Sequence, residues 1–93
     1  LKVASILDKN SVNEAFEGID ACFHLAAIPS VLHATKDWIG THEVNLTGTV
    51  VIFDAAKRFG GIPVVYASSA AIYGDPETMP ISEKTPAIPL TTY

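Results

Sequence analysis

Three short apolar runs separated by two helical patterns limit what this chain can fold into. The runs cover residues 1–6, 19–26 and 62–67, and they are largely continuous rather than alternating between apolar and polar residues. Continuous apolar runs are typical of strands that are buried on both faces of a parallel sheet. Because parallel strands need helical crossovers, the order of these patterns predicts a right-handed βαβαβ unit of the α/β class.

The two helical patterns differ in length. Residues 11–14 have the form of a capping box, and apolar residues then recur at helical spacing up to Gly18, which predicts a short helix. A long helix is predicted over residues 37–59, after a loop or irregular helical lead-in at residues 30–34. Gly48 lies inside the long helix, where glycine costs up to about 1 kcal/mol relative to alanine. It therefore predicts a close approach of the helix to the sheet or to a ligand.

The carboxyl-terminal segment, residues 75–93, has neither helical nor strand periodicity. Prolines interrupt it at positions 76, 80, 86 and 89. Long loops without secondary structure in a compact chain are more often functional than idle. We therefore expect an extended loop with a functional role.

The composition argues against several kinds of partner. The net charge is −4, only 17% of residues are charged, and the basic residues are scattered, so neither nucleic acid nor an anionic membrane is an expected partner. No apolar run approaches the roughly 20 residues of a membrane span. The single cysteine, Cys22, cannot form an internal disulfide, and we expect a buried core residue in a reduced compartment. These features predict a soluble, cytoplasmic protein.

Three segments lie where the strands are expected to end, at residues 5–8, 25–29 and 67–70, and each contains small residues, among them Ser5, Ala26, Ala27 and Ala67. The carboxyl ends of parallel strands meet at one edge of the sheet, and ligands bind in the crevice outside that edge. Small side chains there would let a flat ligand such as a dinucleotide approach the backbone. Ordinary strand-to-helix turns would use the same residues, so this pattern alone leaves both interpretations open.

The histidines are weak candidates for chemistry. Imidazole titrates near neutral pH, but His24 lies inside an apolar run, which favours a hydrogen-bonded core histidine over a catalytic base. His33 and His42 share no ligand spacing with His24 or with a carboxylate cluster. No metal site is expected from this pattern.

Ser69 and Tyr93 are the stronger candidates. A nucleophilic serine needs glycine on both sides in a Gly-x-Ser-x-Gly elbow, and residues 67–71 contain none. A serine that polarises a substrate oxygen beside an acid such as tyrosine needs no elbow. A tyrosine has an ordinary pKa near 10, so it can do acid–base work at pH 7 only beside a cation or cofactor charge.

Several motifs in this order resemble the extended short-chain dehydrogenases/reductases, the NAD-dependent epimerase/dehydratase family. They are His24–Ala27, His42–Thr49, Tyr66–Gly74, and the loop residues Pro80, Glu83, Pro86 and Tyr93. The resemblance covers nearly the whole chain. It implies a partial Rossmann-type, doubly wound parallel sheet that lacks the first β-α-β with the glycine-rich loop. Residues 1–93 would then be a fragment of a single NAD(P)-binding Rossmann domain, which agrees with a start without Met.

The resemblance also implies roles for individual residues. Ser69 would bind the reacting sugar oxygen, and Tyr93 would be the catalytic tyrosine of the family's Tyr-x-x-x-Lys, removing a hydroxyl proton while hydride passes to the nicotinamide. Ala26 and Ala27 would border the ribose and nicotinamide, and Asn45 would support the loop on the cofactor side. The implied cofactor-binding set is Ser5, Ile6, Leu25, Ala26, Ala27, Asn45, Ala67, Ser68 and Tyr93. Ser5 stands where the family usually has an adenine-contacting Asp.

Departures from the family pattern refine the expected chemistry. The glycine-rich loop and the lysine after Tyr93 are absent, so the isolated segment is expected neither to hold NAD tightly nor to catalyse. Ala70 and Ala71 replace the acidic residues of dehydratases, which favours a nucleotide-sugar 4-epimerase or a reductase. We expect a UDP-hexose 4-epimerase, with NAD or NADP as cofactor and a homodimer paired through the long helix. The alternatives are a reductase or dehydrogenase, a non-catalytic dinucleotide-binding or redox-sensing member, and a partial product without function.

Overall fold

A two-stranded parallel sheet forms the centre of the fold in the computed structural model, which describes residues 1–93. Strand β1 is Cys22–His24 and strand β2 is Val64–Tyr66. They are in register with Cys22 opposite Val64 and His24 opposite Tyr66. One further backbone bond extends the pairing beyond the strands, from the Ala67 N–H to the His24 carbonyl at 3.2 Å. The second and third predicted strands are therefore confirmed, in shorter form.

The predicted strand at residues 1–6 is wrong. This segment forms no strand, and Leu1 and Val3 are exposed. A strand requires a neighbouring backbone to pair with, and the only paired segments are β1 and β2. The segment ends instead in a turn closed by the Asp8 N–H and the Ser5 carbonyl at 3.1 Å.

The first helix begins earlier than its capping box predicts. Helix α1 is Lys9–Phe16, and its N-cap is Asp8 rather than Ser11. The Asp8 carboxylate accepts from the Asn10 N–H at 3.1 Å and from the Ser11 hydroxyl at 2.7 Å. Because a carboxylate has two acceptor oxygens, Asp8 satisfies both donors, and Ser11 is left inside the helix. These bonds, the one from Ser11 above all, lower the pKa of Asp8.

The predicted long helix is confirmed, with an irregularity that the sequence pattern did not show. Asp37 caps its start by accepting from the Gly40 N–H at 3.0 Å, and Phe59 is its C-cap. A π-turn interrupts the regular helix in its middle. The consecutive parts are α3 at Trp38–His42, the π-turn at Glu43–Thr47 and α4 at Gly48–Arg58, and a separate short helix, α2 at Val31–Lys36, precedes them.

Helices α1 and α4 pack together to form the core. The buried side chains are Val12, Phe16, Val51, Ile52, Ala55 and Ala56, with Ile6, Ile19, Cys22, Ile62 and Val64 half-buried around them. Cys22 is thus at the edge of the core, and burial raises the pKa of its thiol.

Gly48 marks a close approach, but to neither of the two predicted partners. A Cβ at this position would lie 2.5 Å from the Ile6 Cδ1, so the missing side chain makes room for the first segment. The contact partner is therefore neither a strand nor a ligand.

The segment at residues 75–93 forms no helix or strand, as predicted, and a short 3₁₀ helix at Ala70–Tyr73 precedes it. Its one local turn is closed by reciprocal bonds between Ser82 and Thr85. None of the helices combines the length and apolar character that crossing a membrane requires.

Candidate functional site

A cavity of about 680 Å³ opens at the carboxyl ends of β1 and β2, between the long helix and the end of the chain. This is the sheet edge at which open α/β folds bind ligands. Eight of the predicted site residues line it: Leu25, Ala26, Ala27, Asn45, Ala67, Ser68, Ser69 and Tyr93.

Ser5 and Ile6 lie outside this cavity. The Ser5 hydroxyl accepts from the Leu7 N–H at 3.2 Å, and Ile6 packs against Gly48 and the core. Residues 1–6 do not join the sheet, so Ser5 and Ile6 do not lie at the edge where β1 and β2 end. Their role in binding a cofactor stays a prediction.

The two strand ends form a wall of small side chains. Ala26, Ala27 and Ala67 line the cavity and are exposed, so the backbone behind them is accessible. The bond between the Ala67 N–H and the His24 carbonyl holds the two ends side by side. A flat ring can therefore approach this part of the backbone closely.

Asn45 binds the strand end from the long helix. Its side-chain oxygen accepts from the Ile28 N–H at 2.8 Å, and its amide nitrogen donates to the Ile28 carbonyl at 3.2 Å. A side-chain amide has one acceptor and two donors, so it pairs with a peptide group as another backbone would. The structure thus places Asn45 against the loop after β1, where it was expected to act.

His24 is a buried, hydrogen-bonded histidine, as the sequence favoured. Its side chain is 7% exposed, and its Nε2 lies 2.9 Å from the Thr49 hydroxyl. Desolvation by burial lowers the pKa of His24, which favours the neutral imidazole. Thr49, which the sequence analysis did not single out, is therefore part of the cavity wall together with His24.

Ser69 follows the end of β2 and is the N-cap of the 3₁₀ helix. Its oxygen accepts from the Ala71 N–H at 3.2 Å, which fixes its orientation. The Ser69 hydroxyl makes no other side-chain hydrogen bond within the chain, so its proton is available to a bound oxygen. Ser69 is half-buried beside the exposed Ser68.

The final loop brings Tyr93 to the same cavity. The loop passes Gly74, which has φ 62° and ψ −123° and lies against the Ile88 carbonyl and the Leu90 side chain. This contact returns the chain toward the strand ends, so Pro89, Thr91 and the half-buried Tyr93 line the cavity.

An aromatic pair in the cavity wall was also missed. Phe53 on α4 and Tyr66 on β2 make an edge-on contact, with ring centroids 5.6 Å apart and an interplanar angle of 80°. Leu46, Thr49 and Phe53 share one face of the long helix at spacings of three and four residues, which is the signal that could have identified them.

No group of three or more His, Cys, Asp or Glu side chains is arranged to hold a metal ion. The polar side chains that line the cavity are instead hydroxyls, phenols, one imidazole and one amide, from Ser68, Ser69, Thr49, Thr91, Tyr66, Tyr93, His24 and Asn45.

The family model described as NAD dependent epimerase/dehydratase family matches residues 1–93. The chain is 35% identical over 85 residues to UDP-glucose 4-epimerase of Bacillus subtilis, a match that covers 89% of this chain and 25% of that protein. It is 32% identical over 92 residues to UDP-arabinose 4-epimerase 1 of Arabidopsis thaliana, covering 97% and 22%. The chain thus spans about a quarter or less of the length of these relatives.

Solved structures share its fold. Crystalline UDP-glucose 4-epimerase from Brucella ovis in complex with NAD matches with a TM-score of 0.93 and 30% identity, over 99% of this chain and 29% of that one. RMD from Pseudomonas aeruginosa complexed with NADPH matches with a TM-score of 0.87 and 30% identity, over 99% and 32%. Because the family model covers every residue and these structures share the parallel sheet and helices, the chain belongs to the NAD-dependent epimerase/dehydratase family and has a partial Rossmann fold.

Proposed function

We propose that this chain is the central part of the NAD-binding domain of a nucleotide-sugar 4-epimerase. The observation that supports this function best is the single cavity that contains the alanine-lined strand ends, Ser69 and Tyr93. The Ser69 hydroxyl and the Tyr93 phenol line the same cavity as a surface that a flat ring can approach, which supports their roles as hydrogen-bond donor and proton acceptor.

The residues of the cavity fit a dinucleotide. Ala26, Ala27 and Ala67 have no atom beyond Cβ, and a cavity of about 680 Å³ is of the size that small-molecule sites have. NAD, when bound, supplies the acceptor and the donor of hydride. The alanines would support it, Ser68 would lie beside its nicotinamide, and Asn45 would hold the loop against which it lies.

In the proposed reaction, Ser69 donates a hydrogen bond to the sugar oxygen and Tyr93 accepts the proton of the same hydroxyl group. The Ser69 hydroxyl makes no side-chain hydrogen bond besides the one from the Ala71 N–H, which supports its role as donor. A tyrosine acts as a base near pH 7 only beside a positive charge. In the family pattern that charge comes from a lysine four residues further on.

The positions after Ser69 favour epimerisation over dehydration. Residues 70 and 71 are alanines, and the backbone N–H of Ala71 binds the serine oxygen. Neither residue can remove a proton to expel water. The two curated relatives described above are both UDP-sugar 4-epimerases, which supports a UDP-hexose or UDP-pentose as the substrate.

A reductase or dehydrogenase that uses NADP is the second candidate function. It is favoured by the similarity to the Pseudomonas aeruginosa protein that was crystallised with NADPH. The cavity residues suit either reaction, since both need a serine, a tyrosine and a hydride carrier. Comparing the affinities for NAD and NADP, and testing for net oxidation of the nucleotide-sugar, separates the two.

Two further parts of the proposal concern assembly and location. Trp38, Ile39 and Val50 on the long helix are exposed apolar side chains, which supports a homodimer paired through this helix. The one cysteine is free, which agrees with a reducing, cytoplasmic compartment.

The function is tested in the protein as its gene encodes it. Turnover should be screened over UDP-, GDP- and dTDP-sugars, with NAD affinity measured in parallel. Tyr93→Phe should abolish turnover and leave NAD affinity nearly unchanged, and Ser69→Ala should lower kcat more than it raises KM. Turnover of Tyr93→Phe within a few-fold of the parent would contradict the acid–base role of this residue.

A further inference from the structure

We propose that Thr49 is a positioning residue, whose hydroxyl joins His24 on β1 to Asn45 in the π-turn and so holds the cavity wall in place for the dinucleotide. This inference rests on the proposed function and adds a residue to it. Thr49 itself is half-buried at the start of α4, one residue beyond Gly48.

Three consecutive contacts support the proposal. The Thr49 Oγ1 lies 2.6 Å from the Asn45 carbonyl and 2.9 Å from the His24 Nε2. The Asn45 side chain then binds both backbone groups of Ile28. One hydroxyl therefore connects the end of β1, the π-turn and the loop that follows β1.

The direction of these bonds follows from the proton count. A threonine hydroxyl has one proton, and a separation of 2.6 Å between two oxygens requires that proton between them, so Thr49 donates to Asn45. The two lone pairs of the Thr49 oxygen can only accept, so His24 donates to one of them through its Nε2–H. This assigns the Nε2–H tautomer to the neutral imidazole and leaves Nδ1 without a proton.

Asn45 lies in the π-turn, and this location gives the bond from the Thr49 hydroxyl to the Asn45 carbonyl its importance. Between Glu43 and Thr47 the backbone follows the wider π geometry, which is rare and is often found at functional sites. The bond from Thr49 reaches back to this turn from the first residues of α4. It thereby fixes the residue whose side chain binds Ile28.

Two other threonines provide matched controls. The hydroxyls of Thr35 and Thr41 also donate to the carbonyl four residues earlier, at 3.0 and 2.7 Å. Neither of these hydroxyls contacts a histidine, and neither residue lines the cavity. Thr41→Val therefore removes the same type of helix bond without touching the proposed connection.

The test uses the protein as its gene encodes it, with Thr49→Val, Thr49→Ser and Thr41→Val. The amide hydrogen exchange of Ile28 and the Kd for NAD are measured for each. We expect Thr49→Val to speed Ile28 exchange and to raise the Kd about tenfold, a change that the loss of a partly buried hydrogen bond supplies. Thr49→Ser should restore both values to within about twofold, and Thr41→Val should leave both unchanged.

His24 gives a second route to the same contact, which remains informative if Thr49→Val fails to fold. His24→Leu removes the bond to Thr49 but leaves the bond from Thr49 to Asn45, so it should change Ile28 exchange and the Kd in the same direction as Thr49→Val but less. His24→Gln, which keeps a donor amide, should be milder still. The double variant Thr49→Val/His24→Leu should be no worse than Thr49→Val alone, because Thr49→Val already removes the bond to His24.

If the parent binds NAD, two results would overturn the inference. The first is an unchanged amide exchange of Ile28 in Thr49→Val, and the second is a change of exchange and Kd in Thr41→Val as large as in Thr49→Val. A parent that binds neither NAD nor NADP would instead overturn the proposed function, and Ile28 exchange would still report on the contact itself.

Discussion

The carbonyl oxygen of Ile88 lies against Gly74, in the space that a side chain at position 74 would occupy. Gly74 also has φ 62° and ψ −123°, a conformation that residues with a Cβ rarely adopt. These two constraints hold the loop so that it returns to the strand ends and brings Tyr93 to the cavity.

Gly74→Ala is therefore expected to destabilise the loop. The backbone strain costs about 1–3 kcal/mol, and the overlap with Ile88 adds to it. Gly18→Ala is the matched control, because Gly18 has φ 71° but nothing within 4 Å of its Cβ position. We expect a larger loss of unfolding free energy for Gly74→Ala, together with faster proteolysis in residues 75–93. Equal losses would show that the contact with Ile88 is unimportant.

Gly48→Ala should destabilise the packing of the first segment. Alanine gains about 1 kcal/mol of helix propensity, but its Cβ would lie 2.5 Å from the Ile6 Cδ1, an overlap that typically costs about 1–3 kcal/mol. The net effect should be a lower free energy of unfolding, measured by chemical denaturation. In a background of Ile6→Ala the overlap disappears, and the same substitution should then stabilise the protein.

Asn45→Leu should free the loop after β1. It leaves the N–H and the carbonyl of Ile28 without their partners, and an unpaired buried polar group costs about 1–3 kcal/mol. The expected results are faster amide exchange at Ile28 and weaker NAD binding. Asn13→Leu is the control, because Asn13 is also half-buried in a helix and its side chain makes no hydrogen bond. The same exchange in both variants would contradict this assignment.

The pKa of His24 predicts a loss of stability in mild acid. Desolvation lowers this pKa below its ordinary value of 6.5, so the folded state takes up the proton less readily than the unfolded state. The contribution to stability is complete above pH 6.5 and is lost as the pH falls through the lowered folded-state value. His24→Gln should remove this part of the pH dependence of Tm. If the pH dependence of Tm is the same in His24→Gln as in the parent, groups other than His24 cause the loss of stability in mild acid.

The Asp8 cap predicts a second pH effect, at lower pH. Its hydrogen bonds to Ser11 and Asn10 lower its pKa below the ordinary 3.8. The ionised cap therefore stabilises α1 above pH 3.8, and this contribution is lost as the pH falls through the lowered folded-state value. Asp8→Asn keeps an acceptor oxygen but does not titrate. Its Tm should converge toward that of the parent in this acid range, and a constant difference would contradict the assignment.

Much of the site could be predicted because local chemistry marks it. Apolar runs indicated the two strands that pair, and the small residues after them indicated the cavity edge. Gly48 predicted a close contact from propensity alone. His24 was correctly interpreted as a satisfied core residue, because a histidine inside an apolar run must have a partner.

Other features depend on contacts that periodicity does not encode. The run at residues 1–6 resembles a strand but has no neighbour to pair with, and apolar character cannot supply one. Ser11 matched a capping box, yet Asp8 accepted the bonds because it precedes Ser11 by one turn and has two acceptor oxygens. Thr49 was missed because its importance comes from a contact across 25 residues of sequence.

The sequence by itself determined the α/β class, the long helix and the residues that follow each strand, since these depend on side-chain periodicity and on residues with restricted backbone conformations. Only the tertiary structure decided which of those residues meet. Gly74 returns the loop so that Tyr93 shares a cavity with Ser69, and Thr49 connects His24 to Asn45. Both relationships arise from packing between segments that are distant in sequence, where the geometry of one contact depends on all the others around it.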